Sequence, residues 1–229
     1  IVREKIYEPN VTQVIKELLQ PGLTFLDIGA NIGYYSMLAA AHVGETGKVL
    51  AFEPIAENRE LFVQSMEANN FHNIELFPYA VSDSEQTVSL IMGGRGSNSR
   101  IVRDQDNQRL LQAQTVILDT FFSALETLDI IKIDIEGAES LALKGASTLI
   151  KRFKPFIVTE FSPDLIPPTS LVQPIDYLDQ LKSYGYDLQV IYHDGKKSEK
   201  MSSQQVLEYF QTSIHSDHID LLATPQTEL

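Results

Sequence analysis

The chain has 229 residues, 43% of them apolar and 21% charged, with no cysteine and a formal net charge of −13. That length suits one domain with a sizeable core, and no break in composition asks for two. The acidity argues against a nucleic-acid partner, which needs a basic footprint, and the missing cysteines exclude a disulfide frame or a thiolate site, in keeping with a reducing, cytoplasmic compartment.

Residues 1–22 open with an irregular Tyr7-Glu8-Pro9-Asn10 and continue as a cap helix. Its stripe is Val14, Ile15, Leu18 and Leu19, with Asn10 or Thr12 as the cap and Pro21-Gly22 as the stop. The helix either only covers the sheet or lets the segment around Glu8 close over a bound ligand.

Residues 24–54 read as strand, glycine-turned loop, helix and strand. Phe25, Leu26 and Ile28 make a buried parallel strand with Asp27 near its carboxyl end, and Gly29 and Gly33 bracket the turn. Residues 34–43 carry a helical pattern and residues 49–52 a second buried strand. Glu53 ends that strand twenty residues after Gly33, where an acid accepts hydrogen bonds from ribose hydroxyls. A dinucleotide site wants Gly-x-Gly-x-x-Gly, so that a pyrophosphate rests on bare backbone. Here the run is DIGANIG: Ala30 and Asn31 crowd a pyrophosphate and Asp27 repels it. A carboxylate there suits a cation instead, such as the ammonium and sulfonium of S-adenosylmethionine.

Residues 55–70 form an amphipathic helix with Leu61, Phe62, Ser65 and Met66 inward, and residues 74–81 a third strand followed by Ser82-Asp83. In a doubly wound sheet Asp83 either accepts from an adenine amino group or simply forms an Asx turn. Residues 86–122 leave the β-α alternation. Strands at 87–92 and 115–118 flank a glycine-rich polar stretch at 93–100, an inserted hairpin whose loop is either a substrate lid or a functionless tip.

LDIIKIDIE at 128–136 places Ile131, Ile133 and Ile135 on one face and Lys132, Asp134 and Glu136 on the other. Charges on a strand buried on both sides are costly unless the carboxyl end opens into a cleft, so Asp134 and Glu136 read as cleft residues and Lys132 as the ion-pair partner of Asp134. A helix at 137–153 and a fifth strand at 156–161 follow, bringing Glu160 beside the cleft. An irregular proline-rich stretch at 162–174 overhangs the same edge. A helix over 174–186, a strand at 188–192, a polar helix near 203–210 and a strand at 219–223 complete the sheet.

The chain resembles the FkbM family of S-adenosylmethionine-dependent methyltransferases, through DIGANIGYYS at 27–36, FEP at 52–54, AVSD at 80–83, KIDIEGAE at 132–139 and LLATP at 221–225. The resemblance covers about residues 7 to 225. It implies the class I (Rossmann-like) fold: a doubly wound, seven-stranded, mostly parallel α/β sheet with an antiparallel last strand. The small antiparallel insertion follows the third strand, and the whole is one domain over 1–229. The resemblance also implies methyl transfer to a hydroxyl of a sugar, glycan or other small secondary metabolite. Carried over by position, Asp27, Gly29, Asn31 and Gly33 hold the methionine part of the donor, Glu53 the ribose, and Ser82-Asp83 the adenine side. Asp134, Glu136 and Glu160 match the acidic ends of the fourth and fifth strands.

A hydroxyl must lose its proton as it attacks, so Glu136 or Asp134 is expected as base, with Glu160 orienting the acceptor and His193 as an outside candidate. Alternatively Asp134, Glu136 and Glu160 hold Mg²⁺, which lowers the hydroxyl pKa. A non-catalytic nucleoside-binding module is the remaining reading. No apolar run reaches the ~20 residues of a membrane span, and Ile1, which is not a start methionine, is compatible with a segment fused to other domains.

Overall fold

Phe25 and Leu26 are neighbours in one strand, yet neither has any solvent exposure. A strand apolar on both faces has to be sandwiched between two layers, and the rest of the chain builds those layers. The computed structural model describes residues 6–92, 99–102, 110–213 and 216–226. Of the glycine-rich stretch at 93–100, expected as either a substrate lid or a functionless tip, residues 93–98 lie outside the described residues, as do residues 103–109.

In chain order, α1 (Pro9–Leu18) precedes β1 (Thr24–Ile28), α2 (Tyr34–Val43), β2 (Lys48–Phe52), α3 (Ala56–Asn69) and β3 (Ile74–Phe77). Then come β4 (Ala80–Val81), β5 (Thr87–Met92), β6 (Ser99–Val102), β7 (Leu110–Val116) and α4 (Leu118–Phe121). The second half carries β8 (Ile130–Ile133), α5 (Glu139–Gly145), α6 (Ser147–Phe153), β9 (Phe156–Phe161) and α7 (Ile166–Ser170). It ends with α8 (Pro174–Ser183), β10 (Tyr186–Ile191), α9 (Ser203–Ser213) and β11 (Ile219–Pro225).

The main sheet has seven strands in the order β10-β11-β9-β8-β1-β2-β3, and the chain order reverses between β1 and β8. All pairs are parallel except those made by β11, which runs against both β9 and β10. On one face Leu26, Ile28, Ile131, Ile133 and Ile157 pack with residues of α5, α6 and α8. On the other, Phe25, Val49, Ile130, Val158 and Leu222 pack with Val14 and Ile15 of α1 and Ala39 and Val43 of α2. A second sheet, in the order β4-β7-β5-β6, is the small insertion after the third strand; β5 pairs antiparallel with β6 and β7, and β4 joins β7 in parallel.

Several boundaries differ from the expectation. The third strand stops at Phe77, because Pro78 has no N–H for the ladder, and Ala80–Val81 pairs into the second sheet instead. Of α3 only Phe62 is buried and Leu61 is 51% exposed, since the helix rests on the edge of the sheet and covers a narrow strip. The expected helix over 137–153 is two helices. Asp119 accepts from the backbone N–H of Thr148 and Leu149 and from the Ser147 hydroxyl, so α6 starts afresh on a distant cap. Neither Asn10 nor Thr12 caps α1: Glu8 is its cap residue, and both expected caps lie within the helix. The proline-rich stretch at 162–174 contains the short helix α7.

Candidate active site

Strand register decides which charges meet. Asp27 pairs with Lys132, and Lys132 with Val158, so their side chains share the face covered by α1 and α2. Two residues on, past or near the strand ends, the same row reads Glu53, Gly29, Asp134, Glu160 and Asp220; Asp220 stands opposite Glu160 in the ladder. The carboxyl end of the sheet therefore presents one acid on β2, β8, β9 and β11, with a glycine between the first two.

That glycine is required. A Cβ on Gly29, whose φ is +84°, would lie 2.0 Å from the Asp134 carbonyl oxygen, so only a bare backbone lets the ends of β1 and β8 come this close. The cleft above them encloses about 240 Å³ and is lined by Gly29, Asn31, Glu53, Asp134 and Glu136, with Tyr7, Tyr34 and Tyr35 on one wall. A wider hollow of about 870 Å³ lies at the amino-terminal edge of the sheet. There Asn73 donates to the Ala40 and Gly44 carbonyls and Thr24 bonds Thr127. Open α/β sheets bind ligands at the other edge.

Lys132 is the buried cation of the site. Its Nζ sits 2.9 Å from Asp134 Oδ2 and 4.7 Å from the centre of the Tyr35 ring. Burial works against its ammonium, but Asp134 and Asp27 outweigh burial and raise the pKa. Asp27 is 1% exposed; Ser36 donates to its Oδ2 at 2.6 Å, and its Oδ1 is buried with no hydrogen-bond partner. Burial raises its pKa, and Lys132 pulls the other way. Burial also raises Glu53, whose oxygens accept from the backbone N–H of Ile55 at 2.8 Å and of Asn31 at 2.9 Å and from Asn58 at 3.2 Å. A carboxylate has about four acceptor directions, so one remains for a ribose hydroxyl, and a second opens if Asn58 swings aside.

Asp134, Glu136 and Glu160 bring carboxylate oxygens within 4.8 Å of one another. Burial, followed by repulsion from Asp134, pushes the Glu160 carboxyl well above the ordinary carboxylate range, and the Ser162 hydroxyl donates to it. Of the other expected residues, Gly33 begins α2 behind the cleft, with Phe62 against it. Glu8 accepts from the Tyr35 hydroxyl at 2.7 Å, which draws Tyr7 over the cleft. Ser82 and Asp83 lie off the cleft lining, to which this segment contributes Tyr79, Ala80 and Val81, and Asp83 pairs with Lys144 at 2.6 Å. His193 is exposed on the turn after β10, away from the lining. Sequence reading gave no site role to Tyr34, Tyr35 or Asp220, while the Tyr7 segment was read as either part of a covering cap or a closure over the ligand. A charged residue inside the apolar run IDLLA at 219–223 was the available signal for Asp220, the same signal that marked Asp27.

Residues 27–188 match the family model described as the methyltransferase FkbM domain. This chain belongs to the FkbM methyltransferase family. It is 28% identical over 165 residues to the probable cobalt-precorrin-6B C(15)-methyltransferase (decarboxylating) of Sulfurisphaera tokodaii, covering 66% of this chain and 86% of that one. Among solved structures, the methyltransferase FkbM of Methylobacillus flagellatus KT superposes with a TM-score of 0.57 at 14% identity, covering 93% of this chain. The chain spans 50% of that protein's length. The fibrillarin of Aeropyrum pernix, solved with natively bound S-adenosyl-L-methionine, superposes at 0.51 and 10% identity over 90% of this chain and 68% of its own. At such identities the superpositions speak for the fold, the class I methyltransferase sheet.

As an FkbM methyltransferase the protein uses S-adenosylmethionine as donor, and its residues fit that group. Gly29, Asn31, Glu53 and Asp134 line the cleft, the Asp134 carboxylate presents negative charge there for a cation, and Glu53 keeps acceptor capacity for ribose. Among the described residues no helix is long and apolar enough to cross a membrane.

Proposed function

We propose that this FkbM methyltransferase transfers a methyl group to a hydroxyl of a sugar, glycan or other small acceptor. The observation that carries the reading is the meeting of Asp134, Glu136 and Glu160 within 4.8 Å at the carboxyl end of the sheet, beside the donor half-site. When bound, the donor supplies an electrophilic methyl on a cationic sulfur. Gly29 and Asn31, with Asp27 buried behind them, would hold its amino-acid end and Glu53 its ribose, which leaves Asp134 and Glu136 for the acceptor. Glu136, half-buried and lining the cleft beside Asp134, is the carboxylate assigned to take the acceptor's proton. Glu160, protonated at neutral pH because of its burial, presents an O–H that orients the acceptor. Tyr7 and Tyr34 supply an apolar wall against a ring. The formal charge of −13 favours neutral or cationic acceptors over polyanions.

The same three acids also suit a divalent ion, whose oxygens would have to close to about 2.1 Å of Mg²⁺. Chelator treatment separates the two readings: a loss of transfer that magnesium restores favours the ion.

The test is a screen of sugars, polyols and phenols with donor labelled in the methyl group. Label is expected on a hydroxylated acceptor, and Glu136→Gln is expected to lower its kcat by about 10²–10⁴-fold with donor affinity kept. Label found only on carbon or nitrogen would reject O-methyl transfer, and an unchanged kcat would remove Glu136 as base.

A further inference from the structure

Glu136 has a backbone φ of +54° and Gly137, beside it, +92°. Glycine adopts this region freely, but a glutamate there is held against its preference, and such conformations persist only where the surroundings fix them. The fixing groups are identifiable. Glu139 is fully buried, and one of its oxygens, Oε1, accepts from the backbone N–H of both Ile135 and Gly137 at 3.1 Å. It thereby ties the two amides that flank Glu136. From outside the turn, the buried Ser170 hydroxyl at the end of α7 donates to the Gly137 carbonyl at 2.5 Å. The Leu165 carbonyl closes the remaining space, standing 2.3 Å from where a Gly137 Cβ would be. The result is that Glu136 lines the cleft with its carboxylate within 4.8 Å of those of Asp134 and Glu160.

We propose that Glu139 and Ser170 are positioning residues, which lock the turn at 135–137 so that the Glu136 carboxylate stays in the cleft. This rests on the reading of Glu136 as base, and it assigns Glu139, an acid of the same motif, a structural task at the backbone instead of a part in proton transfer. The proline-rich stretch carrying α7 thereby becomes the outer half of the device, joined to the site through one hydroxyl.

The lock can be read without an acceptor. Glu136→Gly and Glu136→Gln lose the same charge, but only the glycine relieves the left-handed backbone. In the otherwise unchanged protein the glycine variant should melt above the glutamine variant by about 2 °C. That gap should fall by more than half in the Ser170→Ala or Glu139→Ala background, where the turn is released, and should persist with Ser170→Thr and Glu139→Gln, which keep the bonding atoms. A gap of equal size in all backgrounds overturns the proposal, as does the absence of a gap in the parent.

With an acceptor from the labelled-methyl screen, Ser170→Ala should lower kcat roughly tenfold at unchanged donor KM, and Ser170→Thr should restore it. In the Glu136→Gln background Ser170→Ala should cost nothing further. An equal loss there would mean that Ser170 does not act through Glu136. Should Glu136→Gln retain full activity while the melting gap behaves as expected, the base assignment fails and the lock stands.

Discussion

Burying an ammonium in the middle of a sheet costs several kcal/mol if nothing answers it. At Lys132 the answer comes from Asp134 at 2.9 Å, from the register partner Asp27 and from the face of the Tyr35 ring. Removing the cation therefore does more than delete one contact, because it strands two acids in a part of the protein with little water. Lys132→Met should lower stability by about 3–5 kcal/mol at pH 8, a fall in Tm of about 6–20 °C. The sign with pH follows from what is left behind. Without Lys132 the folded-state pKa of Asp27, already raised by burial, rises further, so protonation favours the folded state and the loss should be smaller at pH 5 than at pH 8. Thermal melts of parent and variant at the two pH values check this, and an equal loss at both would show that the acids do not depend on the lysine.

At the scale of elements, the break between α5 and α6 rests on Asp119, which reaches from α4 to bond the N–H groups of Thr148 and Leu149. A lost cap of this kind costs about 1–2 kcal/mol, so Asp119→Ala should lower Tm by about 3–6 °C while leaving donor affinity, measured by calorimetry, unchanged. A variant with altered donor affinity would mean that α6 is coupled to the cleft. This break also marks where sequence reading stops. The apolar strands β1, β2, β8 and β9 were legible because a residue run buried on both faces admits few non-polar-free alternatives, and Asp27, Glu53 and Asp134 stood out against them as charges in apolar surroundings. The alternation at Lys132 and Asp134 gave the ion pair directly. By contrast, the cap of α6 is 28 residues away in sequence, and nothing local announces it. Pro78 could have warned that the third strand ends at Phe77 and that Ala80–Val81 pairs elsewhere. The left-handed conformation of Glu136 has Gly137 and Glu139 as local hints, but its outer half comes from Ser170, 34 residues further on.

For the molecule as a whole, the pH dependence of stability is a sum over two populations of acids. Surface carboxylates with lysine or histidine partners, such as Asp187 with Lys200 and Asp217 with His218, have lowered pKa values. Their contribution is present above the ordinary carboxylate range and is lost as pH falls through the folded values. The buried acids act in the opposite sense. Burial pushes Glu139 up from 4.5 to about 7 and Asp220 from 3.8 to about 6, and Glu160 moves the same way. Each contributes stability in full below its unfolded pKa and loses it as pH rises through the folded one. The net charge, −13 at pH 7, also grows more repulsive in that direction. Tm should therefore peak near pH 5 and fall toward pH 8. The two causes separate with salt, because repulsion between exposed charges is screened at 1 M while desolvation of a buried carboxyl is not. A decline that survives high salt and becomes shallower in Glu139→Gln assigns it to the interior. A decline that salt abolishes would place it on the surface and leave the buried row of acids without influence on stability.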